Sequence, residues 1–184
     1  MEQKKENLIF YTIFIGFILY NISLIFSSRL LPMNDLHQHL AFATIKRYIG
    51  EPGNFFDQYY RIYPFFLKWN TLHPFFCSLK FWPSVEFANR IFLSIYMIIF
   101  PVSILYFIKT INGNKWFALL SFLLLYNFNV VWGLVGFFFA IPLCFFLMAI
   151  NIDYLHTNQV KFKIMIIILL LLIYFSHILP LFFI

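Results

Sequence analysis

The run from Trp116 to Ile152 is apolar almost throughout, and its length constrains the fold more than any other feature of the chain. As one helix rising roughly 1.5 Å per residue it would extend about 55 Å, against a hydrocarbon core of about 30 Å. It must therefore turn back on itself. The polar and flexible residues near its middle are Tyr126-Asn127-Phe128-Asn129 and Gly133 to Gly136. They predict two helices, 116–131 and 133–152, joined by a tight turn. Apolar stretches over 8–28, 90–109 and 163–184 each approach the length of about 20 residues that a spanning helix needs. The expected fold is an all-α integral membrane domain of about five transmembrane helices over residues 1–184, with one long first loop at 29–89.

Composition agrees. Charged residues make up 11% of the chain and the mean hydropathy is +0.84, whereas an ordinary soluble domain carries about 25% charged residues. The formal net charge of +6 reports topology. Lys4 and Lys5 precede the first span, Lys109 and Lys115 flank the second turn, and Lys161 and Lys163 flank the fourth. Short basic segments stay on the cytoplasmic side, so a cytoplasmic N-terminus and an extracytoplasmic loop 29–89 are expected. No basic cluster suited to nucleic acid is present. The first apolar stretch is too long for a signal peptide, and Ser27-Ser28-Arg29 is a poor cleavage site. Cys77 and Cys144 fall at different depths, which predicts neither a disulfide nor a metal set. The chain stops at Leu181-Phe182-Phe183-Ile184 with no polar flank, which reads as the N-terminal part of a longer protein.

Chemistry must be assembled in the first loop. Acidic residues number seven among 184, and one of them, Asp35, stands with His37 and His39 just past the first span. Asn34 is the expected N-cap of a helix running from Asp35 to Ile49. In that helix Leu36, Leu40, Ala43 and Arg47 share one face, while Asp35, His39, Phe42 and Lys46 share another. Gly50 to Asn54 ends it. An aromatic stretch follows to Trp82, broken at Pro64 and Pro74. Its Tyr59, Tyr60, Tyr63, Trp69 and Trp82 suit the headgroup level, and Arg61, Lys68 and Lys80 punctuate it.

Each candidate has a structural reading beside its functional one. Asp35 and His39, four apart, form a general base or a partial metal site; equally, Asp35 caps free N–H groups at a helix start. Arg61 suits a phosphate, or simply meets lipid headgroups. Glu86 is either a second acid near Asp35 or a solvated first-turn residue. His73 reads as a turn residue before Pro74, and Asn127 and Asn129 as caps. His177 lies in an otherwise apolar span, where an ionisable group faces protein or a water-filled cavity. It falls in the outer half, on the Asp35 side.

Leu31-Pro32-Met33-Asn34-Asp35, the following His37-Gln38-His39-Leu40-Ala41-Phe42-Ala43, and Tyr60-Arg61-Ile62-Tyr63-Pro64 together resemble the polytopic glycosyltransferases of the GT-C superfamily. Asn70-Thr71-Leu72-His73-Pro74-Phe75 resembles the later stretch of that family's first loop, and Trp132-Gly133-Leu134-Val135-Gly136-Phe137 the start of a following span. The resemblance covers the N-terminal half of such a protein. It implies sugar transfer from a polyprenyl-phosphate donor, with Asp35 as general base or as a ligand to a divalent cation, Mg or Mn. It also implies that Arg61, His39 or His177 stabilises the departing phosphate. Many relatives carry two adjacent acids where this chain has Asn34-Asp35. The implied partners are a lipid-linked sugar and membrane lipids, and the implied location is the bacterial plasma membrane. A transporter or flippase fragment, or a non-catalytic membrane subunit, are the rival classes.

Overall fold

The computed structural model describes residues 2–28, 31–62 and 70–183. The chain is 78% helical, with no strand among the described residues. Among the described residues four segments are long and apolar enough to cross a membrane: Glu2–Ser27, Val85–Thr110, Lys115–Trp132 and Val135–Thr157. That is the architecture of a multi-pass membrane protein. The first, α1, shows its lipid-compatible character directly, with Leu8 69% and Leu19 61% exposed.

Passes alternate in direction, as their cross-contacts require. The start of α5 (Val85–Thr110) meets the end of α1, where the Arg90 guanidinium donates to the carbonyls of Ile25 and Ser28. At the opposite end Lys109 Nζ donates to Tyr11 Oη at 2.6 Å, and Trp116 Nε1 donates to Glu6 Oε1 at 2.9 Å. Tyr106 of α5 donates to Asp153, near the end of α8 (Val135–Thr157). The next helix, α9 (Val160–Ser176), returns to the first end, where Thr71 N donates to the Phe175 carbonyl at 2.8 Å. The first loop, the start of α5, the start of α8 and the end of α9 thus gather at one pole.

Two expectations about the spans are corrected. The third pass is not one helix: a 3-10 segment Lys115–Leu120 leads into α6 (Ser121–Leu124), and the chain breaks before α7 (Phe128–Trp132). Backbone groups freed in an apolar setting must find partners. Tyr96 Oη accordingly donates to the Leu125 carbonyl at 3.3 Å, and Asn127 Nδ2 to Leu124 O at 3.0 Å. Asn127 Oδ1 also accepts from Asn129 N at 2.9 Å, capping α7. The last apolar helix, α9, is shorter than the span expected over 163–184. At 17 residues it rises about 26 Å, less than a core of about 30 Å. It ends at Ser176 because His177 adopts extended backbone (φ −167°, ψ 128°) before a 3-10 turn, Leu179–Phe183.

Helices α5 and α8 form the centre. Phe92 stacks on Phe139 at 4.3 Å and Tyr96 lies against Phe138 at 4.6 Å. Above them, at the pole, α2 (Leu36–Tyr48) packs on α4 (Leu72–Ser78) and on the first turns of α5. Buried Ala43, Cys77 and Ala88 at that junction let the three backbones approach closely. A short helix, α3 (Phe56–Tyr59), is exposed. Tyr63, Pro64, Lys68 and Trp69 lie outside the described residues.

Candidate functional site

Asp35 occupies the N-cap position of α2, one residue later than the cap expected at Asn34. Its side chain makes no capping bond. What holds it is its backbone: Asp35 N donates to Trp132 O at 2.9 Å and Asn34 N to Val131 O at 3.2 Å. Those carbonyls are among the last of α7, which helix geometry leaves without internal partners. Gly133 makes the close approach possible. Its φ of +76° suits glycine, and a Cβ there would lie 2.9 Å from Leu36 N and 3.0 Å from Asp35 N. The half-buried carboxylate, with no hydrogen bond among the described residues, is therefore uncommitted.

His39, one turn on, is half-buried. Burial holds its imidazole below the usual histidine range, and the nearby Asp35 charge works in the opposite direction. Its ring meets His73 edge to face at 5.7 Å. His73 is not the turn residue that its sequence context suggests. It sits in the first turn of α4, 2% exposed, with Nε2 2.9 Å from Asn89 Oδ1 and 3.4 Å from Cys77 Sγ. Burial pushes its pKa down to about 4 against the helping bond from Asn89, and likewise pushes the Cys77 thiol up to about 12. His73 and Asn89 are the polar residues that sequence reading missed. The signals were present: His73 and Cys77 stand four apart, and Asn89 is a polar residue at the head of an apolar span.

His177 lies at the same pole. It terminates α9, accepts from Leu179 N at Nδ1 (3.3 Å), and sets its ring against Phe137 at 5.4 Å. The turn from Gly133 to Phe137 thus lies between Asp35 on one side and His177 on the other. Gly136 in that turn is equally constrained. A Cβ there would fall 2.1 Å from Asn70 Oδ1 and 2.3 Å from Ser176 O. The remaining expected residues are not brought in. Glu86, in the first turn of α5, and Arg61, after α3, are both exposed and make no hydrogen bond or ion pair among the described residues. His37 is exposed as well.

An apolar groove of about 190 Å³ runs past Met33, two residues before Asp35. Leu24 of α1, Ser28 just past its end, Met33, Met97 of α5, Tyr126 and Val131 are among its walls. Met33 joins it to the acid two residues on. No group of three or more His, Cys, Asp or Glu capable of holding a metal occurs among the described residues. Mg and Mn favour carboxylate and other oxygen ligands, of which Asp35 supplies one, beside the His39 imidazole. Comparison of the chain with protein-family models, with curated proteins and with solved structures finds no match.

Proposed function

We propose that the protein is a membrane glycosyltransferase that moves a sugar from a polyprenyl-phosphate donor to an extracytoplasmic hydroxyl. The observation that carries this reading is an uncommitted, half-buried carboxylate, Asp35, one helical turn before the His39 imidazole and two residues past Met33, which lines an apolar groove. A lipid chain suits the groove, and an acid free of capping duty suits a general base.

In the proposed step Asp35 takes the proton of the acceptor hydroxyl. The acceptor oxygen forms a bond to the anomeric carbon as the bond from that carbon to the phosphate oxygen breaks. The phosphate leaves with the electron pair, and the configuration inverts. His39, whose burial favours the neutral ring against the opposing pull of Asp35, donates a hydrogen bond to the departing oxygen. His177 serves from the opposite side of the Gly133–Phe137 turn. Arg61 and Glu86 are reserved for the headgroup and acceptor, which lie further from the membrane. Lys4, Lys5, Lys109, Lys115, Lys161 and Lys163 stand on segments at the pole away from Asp35, which supports a cytoplasmic N-terminus in the bacterial plasma membrane. The broken third pass is a feature that transporters share. Here its freed carbonyls at Leu124 and Leu125 are already bonded, which favours the enzyme.

The test is transfer from a panel of polyprenyl-phosphate-linked sugars by the protein in lipid nanodiscs, with product anomers read by NMR. Inverted product is expected. Retained configuration, or no transfer from any donor above protein-free discs, overturns the reading.

A further inference from the structure

The bond between His73 and Asn89 has a direction. With the Asn89 carbonyl oxygen accepting at 2.9 Å, the imidazole proton is on Nε2 and Nδ1 carries a lone pair. Nδ1 is buried and has no hydrogen-bond partner among the described residues. A buried acceptor without a donor costs about 1–3 kcal/mol, and native structures leave few of them. Nothing adjacent among the described residues supplies the donor. Phe92 packs at 4.9 Å, the Cys77 thiol sits by the other nitrogen, and His39 presents a ring contact. His39 is also the neighbour on the Asp35 side, and its own nitrogens make no hydrogen bond among the described residues.

We propose that His73 Nδ1 accepts a hydrogen bond from a hydroxyl of the bound sugar, so that the site extends inward from Asp35, past His39, to α4. The proposal rests on the sugar-transfer reading for the identity of the ligand. The chemistry of the acceptor narrows the class. Burial holds His73 near 4, so it stays neutral at working pH and cannot attract a phosphate as a cation would. It has no second proton to donate. Only an O–H or N–H group satisfies it, and sugar hydroxyls are such groups. His39, whose ring lies against His73, makes no hydrogen bond among the described residues that would hold it in place.

Two variants separate the functional from the structural role. In His73→Gln the amide nitrogen replaces Nε2, so a bond donated to Asn89 Oδ1 is kept while Nδ1 is lost. In His73→Asn the amide group replaces Nδ1, and the Asn89 bond is lost. The experiment is histidine nitrogen NMR of the full chain in nanodiscs, titrated with methyl hexosides, alongside hexoside affinity of both variants. The expected result is an Nδ1 resonance that is unprotonated in the free protein and shifts on hexoside binding. His73→Gln should weaken binding about five- to tenfold, the worth of one net hydrogen bond, while His73→Asn retains it. An Nδ1 signal unmoved by every hexoside, or equal affinity for His73→Gln and wild type, overturns the proposal. Sugar transfer without an Nδ1 shift defeats this inference alone. A shift without transfer keeps the hydroxyl site and defeats the enzyme reading.

Discussion

Replacing Gly136 by alanine adds one methyl group at the point where α8, the end of α9 and Asn70 converge. The ideal Cβ would lie 2.1 Å from Asn70 Oδ1, 2.3 Å from Ser176 O and 3.1 Å from Asn70 Cγ. Asn70 can move its amide, though its own φ of 59° limits the backbone. Ser176 O is main chain at the last turn of α9, so relief there means parting two helices. Overpacking of this kind costs typically 1–3 kcal/mol, and the backbone contact puts this site at about 3. Better helix propensity returns up to about 1 kcal/mol. The net expectation is about 2 kcal/mol of destabilisation, roughly a thirtyfold fall in the folded-to-unfolded ratio. Gly16, inside α1, is the internal control, since nothing lies within 4 Å of its Cβ position. Both variants should be compared by equilibrium unfolding in mixed micelles, followed by far-ultraviolet circular dichroism. Gly136→Ala should be the less stable by about 2–3 kcal/mol, with faster hydrogen exchange at Thr71 N, whose bond to Phe175 O lies beside the contact. Equal stability of the two variants would refute the packing described for this pole.

Arg90→Met should destabilise by about 2 kcal/mol, because the carbonyls of Ile25 and Ser28 lose a charged donor; unfolding in the same micelles reads it, and a neutral effect contradicts the tether. Acid should destabilise the wild type through His73. Its folded pKa of about 4 lies below the unfolded value near 6.5, so the unfolded chain binds the extra proton. Its full contribution is therefore present above about pH 6.5 and is lost as the pH falls towards 4, by up to about 3 kcal/mol. His73→Phe should flatten that part of the stability profile, and an unchanged slope would show that the imidazole titrates freely.

Much of this molecule was legible because hydropathy and turn chemistry are local. The four apolar crossings, the cap at Asn127 and the turn at Gly133 all follow from residues within a few positions of one another. Asp35 and His39 were placed one turn apart by helix periodicity, and the described helix carries them so. What sequence concealed was long-range. Asn89 completes His73 from sixteen residues away, and Arg90 tethers carbonyls more than sixty residues back. The break after α6 depends on Tyr96 of another helix to satisfy Leu125 O. The early end of α9 depends on a packed neighbour as well, since the Ser176 carbonyl lies against Gly136 rather than continuing a helix. Glu86 and Arg61 had the right chemistry for the site, yet their side chains are exposed. Residue type and proximity in sequence say nothing about which way a helix turns its first residue.

Asp35→Asn removes the base while keeping nearly the same shape, and the backbone bond to Trp132 O that holds the residue does not involve its side chain. The decisive measurement is the rate of sugar transfer from the preferred polyprenyl-phosphate donor, wild type against Asp35→Asn, in nanodiscs with matched circular dichroism. Loss of a general base predicts a fall of about 100-fold or more with little change in donor affinity. Turnover equal to wild type would contradict the assignment of Asp35 as the group that takes the acceptor's proton.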